Sequence, residues 1–261
     1  MFKRLFGFFN QWGELIGELT KREIKARYKQ SVLGYAWVIL VPIMNLTVMT
    51  IVFSYLIRVP TGNIPYPLYL FTALVPWTFT SSAVAAATAS LMGNASLITK
   101  IKIPREIFPL SSILVKMVDL GLSTLVLIIM MIIYHAPFYP TLIWVPVIFF
   151  VQFIMVNGVS LILSATNVFY RDVENVLGVF LLVWMYLTPI IYPPEMIPPQ
   201  YRPIFALNPM TGIVNAYRNV ILYGVNPPWP SFSYAIVISV VLFILGLIYF
   251  KRVQRYFADV I

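Results

Sequence analysis

The chain has 261 residues, 60% hydrophobic and only 10% charged, with a mean hydropathy of +0.86. An average soluble domain is about 45–50% apolar and about 25% charged, so an ordinary soluble globule and a disordered chain are both excluded. Eighteen Lys and Arg against nine Asp and Glu leave a net charge of +9, which points to nucleic acid in a soluble chain but to a cytoplasmic face in a membrane chain.

Lys3 and Arg4 precede an apolar stretch of only five residues, 5–9, with no small-residue cleavage site after it, so no signal peptide is expected. Residues 11–29 predict an amphipathic helix. Trp12, Leu15, Ile16, Leu19, Ile24 and Tyr28 fall near helical spacing, with Lys21, Arg22, Lys25 and Lys29 on much of the other side. Such a helix serves as a membrane-surface anchor or as a docking surface for a cytoplasmic partner. Gly13 and Gly17 make a GxxxG match that carries little weight outside a span.

Beyond it the charges disappear for long runs. Residues 30–57, 59–99, 120–170, 175–194 and 219–250 hold no Asp, Glu, Lys or Arg. A helix needs about 20 residues to cross a hydrocarbon core of about 30 Å. The run 120–170 exceeds one span and breaks at the prolines of 135–140; the run 59–99 opens on a Pro- and Gly-rich loop, 60–67. The expected fold is an all-α membrane protein with six spans, near 34–57, 68–91, 110–134, 142–165, 175–192 and 231–250, in a single transmembrane domain covering 1–261. The segments lack the alternation of a membrane barrel.

Loop 92–109 predicts a short helix over Asn94–Ile103, with Asn94 as its N-cap, Lys100 and Lys102 near its C-terminal end, and Pro104 as its stop. Leu97, Ile98 and Ile101 give it an apolar face. In 110–134, Lys116 and Asp119 stand three apart and share a helix face. Arg171, Asp172 and Glu174 form a solvated loop, a local ion pair or a cytoplasmic gate. Segment 193–230 is too apolar for a solvated loop, and 203–222 reads as a re-entrant or interfacial helix. Backbone of that kind must be buried in protein or line a wet cavity.

The cations sort by side. Residues 3, 4, 21, 22, 25, 27, 29, 100, 102, 105, 116, 171, 251, 252 and 255 fall on one side of a six-span chain; Arg58, Arg202 and Arg218 fall on the other. This bias puts both termini in the cytoplasm. The positive charge is then topology, and nucleic acid loses its support. There is no GxxxxGK[ST] phosphate loop, no HExxH, no GxSxG and no cysteine. His135 reads as an interfacial side chain, and no metal site is expected.

Four motifs in order complete the reading. Leu19–Trp37 with Pro42 resembles the amino-terminal signature of polysaccharide-export ABC transporter permeases, the membrane subunits for O-antigen, capsule and teichoic-acid export. Asn94–Lys100 with Ile103–Glu106 resembles their coupling helix. Phe169–Val173 resembles the loop before the fifth span. Thr188–Pro193, with Asn208–Met210 and Tyr217–Arg218, resembles their external re-entrant region.

The resemblance implies a homodimer paired with two copies of a separate ATPase subunit, which binds the ATP and Mg that this chain does not. It implies a bacterial cytoplasmic (inner) membrane and a channel for a lipid-linked polysaccharide. Arg22, Glu23, Arg27, Tyr28, Asn94, Leu97, Ile98, Lys100, Ile101, Ile103, Pro104 and Arg105 would contact the ATPase, with Lys100 and Arg105 meeting acidic groups. Arg171 and Asp172 would form a cytoplasmic gate. Pro189, Tyr192, Pro193, Asn208, Pro209, Tyr217 and Arg218 would form an external one. The rivals are an ABC permease for drugs or lipids, and an ion-coupled secondary transporter. The latter wants buried carboxylates and internal repeats, which the sequence lacks. A membrane enzyme is disfavoured by the absence of a catalytic cluster.

Overall fold

The computed structural model describes residues 2–28, 36–100 and 103–260, without the side chains of 2–10, 27–28 and 258–259. All regular structure among them is helical. The amino-terminal helix α1 spans Phe2–Tyr28 and α2 spans Ala36–Thr50, continuing as a π-helical turn over Ile51–Leu56. Then come α3 (Tyr66–Gly93), the short α4 (Ala95–Lys100) and α5 (Ile107–Ile133). A 3-10 turn, Pro140–Trp144, leads into α6 (Val145–Phe169), followed by α7 (Val173–Tyr186). The short α8 (Arg202–Ala206) and α9 (Pro209–Arg218) precede α10 (Trp229–Val253) and the terminal α11 (Phe257–Val260).

Five helical segments are long and apolar enough to cross a membrane: Ala36–Leu56, Tyr66–Gly93, Ile107–Ile133, Pro140–Phe169 and Trp229–Tyr256. They match five of the six expected spans to within a few residues. The expected span 175–192 is shorter. Its helix, α7, has 14 residues, or about 21 Å of rise. Composition carried the expected span on to residue 192, but Thr188 and Pro189 end the helix in a turn, because proline lacks the amide that a helix needs. The turn between α5 and α6 lies where the prolines of 135–140 placed it, with His135 in the left-handed region at φ 51.

The second span is the centre of the bundle. In α3, 72% of the most apolar window is buried, against 6% in Ala36–Leu56. Leu68, Tyr69, Leu70, Phe71 and Ala73 sit in a core shared with Ile148 and Met155 of α6 and Met210 and Ile213 of α9. Two small-residue contacts then lock α6 to α10, the most extensive helix pair. A Cβ on Gly158 would lie 2.5 Å from the Phe243 amide nitrogen, and one on Gly246 would lie 2.5 Å from the Gly158 carbonyl oxygen. Glycine is what lets these backbones touch, the usual route to close helix packing in a membrane.

A polar exception lies inside the bundle. Lys116 and Asp119 of α5 pair at 3.5 Å, on the shared face that their spacing predicts. They line a groove of about 360 Å³ between α2, α3 and α5, with Trp37, Thr78, Ser82 and Ser123.

Candidate functional site

Two regions bring the singled-out residues together, one at each end of the bundle. At the first, α1 lies along α5. Ile16 is 3% exposed, and Trp12, Leu15 and Leu19 are half-buried on the same face, as the apolar spacing predicts. Lys21, Arg22 and Lys25 stay exposed. Glu18 and Lys21 pair at 2.8 Å in open solvent, and the hydrogen bond to Lys21 holds the Glu18 carboxyl below its ordinary value.

Two long-range bonds fix α1 in place. Arg22 Nη2 donates to Asn94 Oδ1 at 2.6 Å, and Ser112 Oγ donates to Glu23 Oε2 at 3.1 Å. Sequence separation hides both contacts, which span 72 and 89 residues. A double-mutant cycle on Arg22→Ala and Asn94→Ala is expected to give a coupling of about 0.5–1 kcal/mol, typical of an exposed charged bond. Chemical unfolding of the detergent-solubilised chain measures it.

Asn94 stands directly before α4, but its side chain does not cap that helix. Its Nδ2 donates back to the Ser90 carbonyl at 2.8 Å, closing the end of α3, while its Oδ1 is taken by Arg22. The α4 amides of Leu97 and Ile98 bond the Asn94 backbone carbonyl instead. The apolar side of α4 also turns inward. Ile98 is 5% exposed in a core with Leu91, Phe108, Leu161 and Val168, and Leu97 and Ile103 pack against that core. Ser96, Thr99 and Lys100 are the exposed residues of α4, and Pro104 is half-buried.

Arg105 is engaged within its own chain. Its Nη1 donates to the Gln254 carbonyl, and its guanidinium lies 5.8 Å from the Phe257 ring centroid. Ile101 and the side chains of Arg27 and Tyr28 lie outside the described residues. Arg171 and Asp172 are both exposed, and Glu174 accepts from Asn167 Nδ2 at 2.8 Å rather than pairing with Arg171.

The opposite end is a folded cap. Asn208 caps α9, accepting from the Met210 amide at 3.0 Å. Its Oδ1 also takes the Trp184 indole at 2.8 Å, and its Nδ2 donates to Thr188 Oγ1 and the Leu187 carbonyl. One asparagine thus ties the start of α9 to the end of α7. Pro209 follows at N1, where its missing amide costs nothing. Tyr192 Oη donates to the Tyr186 carbonyl at 2.6 Å, and Pro193 is buried.

Arg218 is 2% exposed. Its Nη1 donates to the Pro189 carbonyl, and its Nη2 donates to Ile190 at 2.6 Å. Its guanidinium sits 3.8 Å from the Tyr69 ring centroid. Tyr66 Oη donates to Ile191 at 2.9 Å. Three consecutive carbonyls of the turn after α7 are therefore held by α9 and α3. Beside them Tyr217 Oη donates to Gln152 Oε1 at 3.1 Å, and Gln152 Nε2 donates to Thr80 Oγ1 and the Pro76 carbonyl. The last of these bonds satisfies a carbonyl inside α3. Gln152 and Tyr66 belong to this cluster, yet single apolar spans give no signal for them. No group of His, Cys, Asp and Glu able to hold a metal occurs among the described residues.

Comparison with known proteins agrees with this architecture. The chain is 31% identical over 252 residues to the O-antigen export system permease protein RfbA of Klebsiella pneumoniae, covering 95% of each chain. It is 28% identical over 261 residues to the protein of the same name from Myxococcus xanthus, covering 98% of each. The polysialic acid transport protein KpsM of Escherichia coli is 24% identical, covering 89% of this chain and 91% of its own. Residues 14–222 match the family described as ABC-2 type transporter. A multi-pass helical bundle matched over this span belongs to the ABC-2 type transporter family.

Proposed function

We propose that this chain is the membrane permease of an ATP-driven exporter that moves a lipid-linked polysaccharide outward, of O-antigen, capsule or teichoic-acid type. The observation that carries the proposal is similarity to O-antigen export permeases over 95% or more of both chains. In this reading 1–261 is one transmembrane domain in the bacterial inner membrane. The turn after α7 completes a sixth crossing, and an even count leaves both termini in the cytoplasm, where the Lys and Arg bias puts them. Two copies form a channel at their interface, and each pairs with a separate ATPase subunit that holds ATP and Mg.

In this reading α1 and α4 face the ATPase. Two exposed cations there, Lys100 and Arg22 (beside its bond to Asn94), take its acidic groups. Leu97, Ile98, Ile103 and Pro104 support α4 from within, and Glu23, Asn94 and Arg105 hold the loop in place. Arg171 and Asp172 stand at the cytoplasmic mouth. The cap built from Pro189, Tyr192, Pro193, Asn208, Pro209, Tyr217 and Arg218 is the external gate. Tightly folded non-helical backbone is tolerated at such a place because its carbonyls are satisfied by protein.

The test is purification of the tagged chain with its bound partners, beside deletion of the gene. A P-loop ATPase in equal copy number, and lipid-linked glycan accumulating inside the deleted cells, are the expected results. Export driven by an ion gradient, with no ATPase bound, would instead support a secondary transporter.

A further inference from the structure

The carboxy-terminal segment is not a loose tail. Phe257 is fully buried, with its ring edge-on to Phe250 at 5.5 Å and 5.9 Å from Phe169. Phe250 and Phe257 belong to the core that holds Ile98 of α4, Phe108 of α5 and Leu161 and Val168 of α6, and Phe169 packs against it. Over this core Arg105 closes a second link. It donates to the carbonyl of Gln254, the residue that ends α10. A guanidinium suits this place, because the Gln254 carbonyl, which also accepts the Phe257 amide, stands at the end of α10, where the helix dipole is negative. The loop after α4 and the end of the last span are thus joined twice, by a charged hydrogen bond and by a packed aromatic core. Packed cores are barely compressible and pass displacement on.

We propose that Arg105 and the segment 254–260 form a strut that makes α4 and the cytoplasmic end of α10 one rigid body, so that a push on α4 moves the last span. The inference rests on the reading of α4 as the helix that a cytoplasmic ATPase drives. Arg105 is then a positioning residue: it carries the motion and touches neither nucleotide nor glycan. The strut also gives a use to the carboxy-terminal residues, which the six-span reading leaves idle.

The test uses the complex of this chain with its ATPase, and reads glycan exported per ATP hydrolysed. In complexes matched for bound ATPase, export per ATP hydrolysed is expected to fall about tenfold in Arg105→Ala, the scale set by losing one charged hydrogen bond. Arg105→Lys restores part of the ratio. The chain has no cysteine, so Arg105→Cys with Gln254→Cys can be joined by a short bis-maleimide, which alkylates both thiols, with no competing thiol in this chain. The linked protein is expected to regain export, since a strut need not open. Unchanged export per ATP in Arg105→Ala, or a linked protein that is blocked, would overturn the inference while leaving the permease reading intact. A wild-type chain that retains no ATPase would overturn both.

Discussion

Arg218→Ala is expected to destabilise the detergent-solubilised chain by about 3–5 kcal/mol, the scale of losing two buried hydrogen bonds from a charged group. The guanidinium holds two carbonyls of the turn after α7, at Pro189 and Ile190, and stacks on Tyr69. Each carbonyl left without a donor costs about 1–3 kcal/mol, and the desolvated cation–π contact adds up to about 2. Relief from burying the cation offsets part of this sum. Arg218→Lys keeps the charge but not the fork, since an ammonium is a point donor, so it is expected to recover only part of the loss. Unfolding by denaturant measures both variants, and protease sensitivity of 187–208 shows whether the cap opens first. An Arg218→Ala protein within about 1 kcal/mol of wild type, at the scale of an ordinary surface change, would refute the clamp.

Gly158→Val is expected to cost about 3 kcal/mol or more, at or above the upper end of ordinary overpacking. The added Cβ would lie 2.5 Å from the Phe243 nitrogen and 2.6 Å from the Leu242 carbonyl carbon. Both are backbone atoms of α10, so no side chain can turn aside. The helices must separate, and the contact of Gly246 with the Gly158 backbone opens with them. Gly178→Ala in α7 is the control. Nothing lies within 4 Å of its added Cβ, so it is expected to be neutral or to stabilise by about 0.4–1 kcal/mol. Thermal unfolding and the yield of monodisperse protein separate the two variants.

Much of the fold was legible because hydrocarbon tolerates few charges. Absence of Asp, Glu, Lys and Arg located five spans, and the proline pairs located the turns between them. The same logic overran the helix of α7. Apolar composition continues past Tyr186, but composition does not register that Thr188 and Pro189 end the helix in a turn. Side-chain pairing was the less legible level. Arg218 counted as an external charge, and its burial depends on two carbonyls and a ring from other elements. Asn94 has the residue type of an N-cap, and which of its neighbours wins depends on Arg22, 72 positions away. Ile98 and Arg105 sit in a motif that resembles a partner-binding helix, yet both spend their contacts inside the chain. Spacing identifies a face; only the third dimension says what covers it.

The first span is the exception to the clamps and crossings above. With 6% of its apolar window buried, Ala36–Leu56 gives up little when the bundle melts beyond Leu46 in the core and Met49 and Phe53 packed against it. A melting curve is therefore mainly a record of the other helices. Substitutions on the exposed face of α2, at Met44 or Val48, should pass assays of folding in detergent and register only where the span meets something other than its own chain. Damage there has to be sought in native membranes, where lipid or a second copy supplies the contacts.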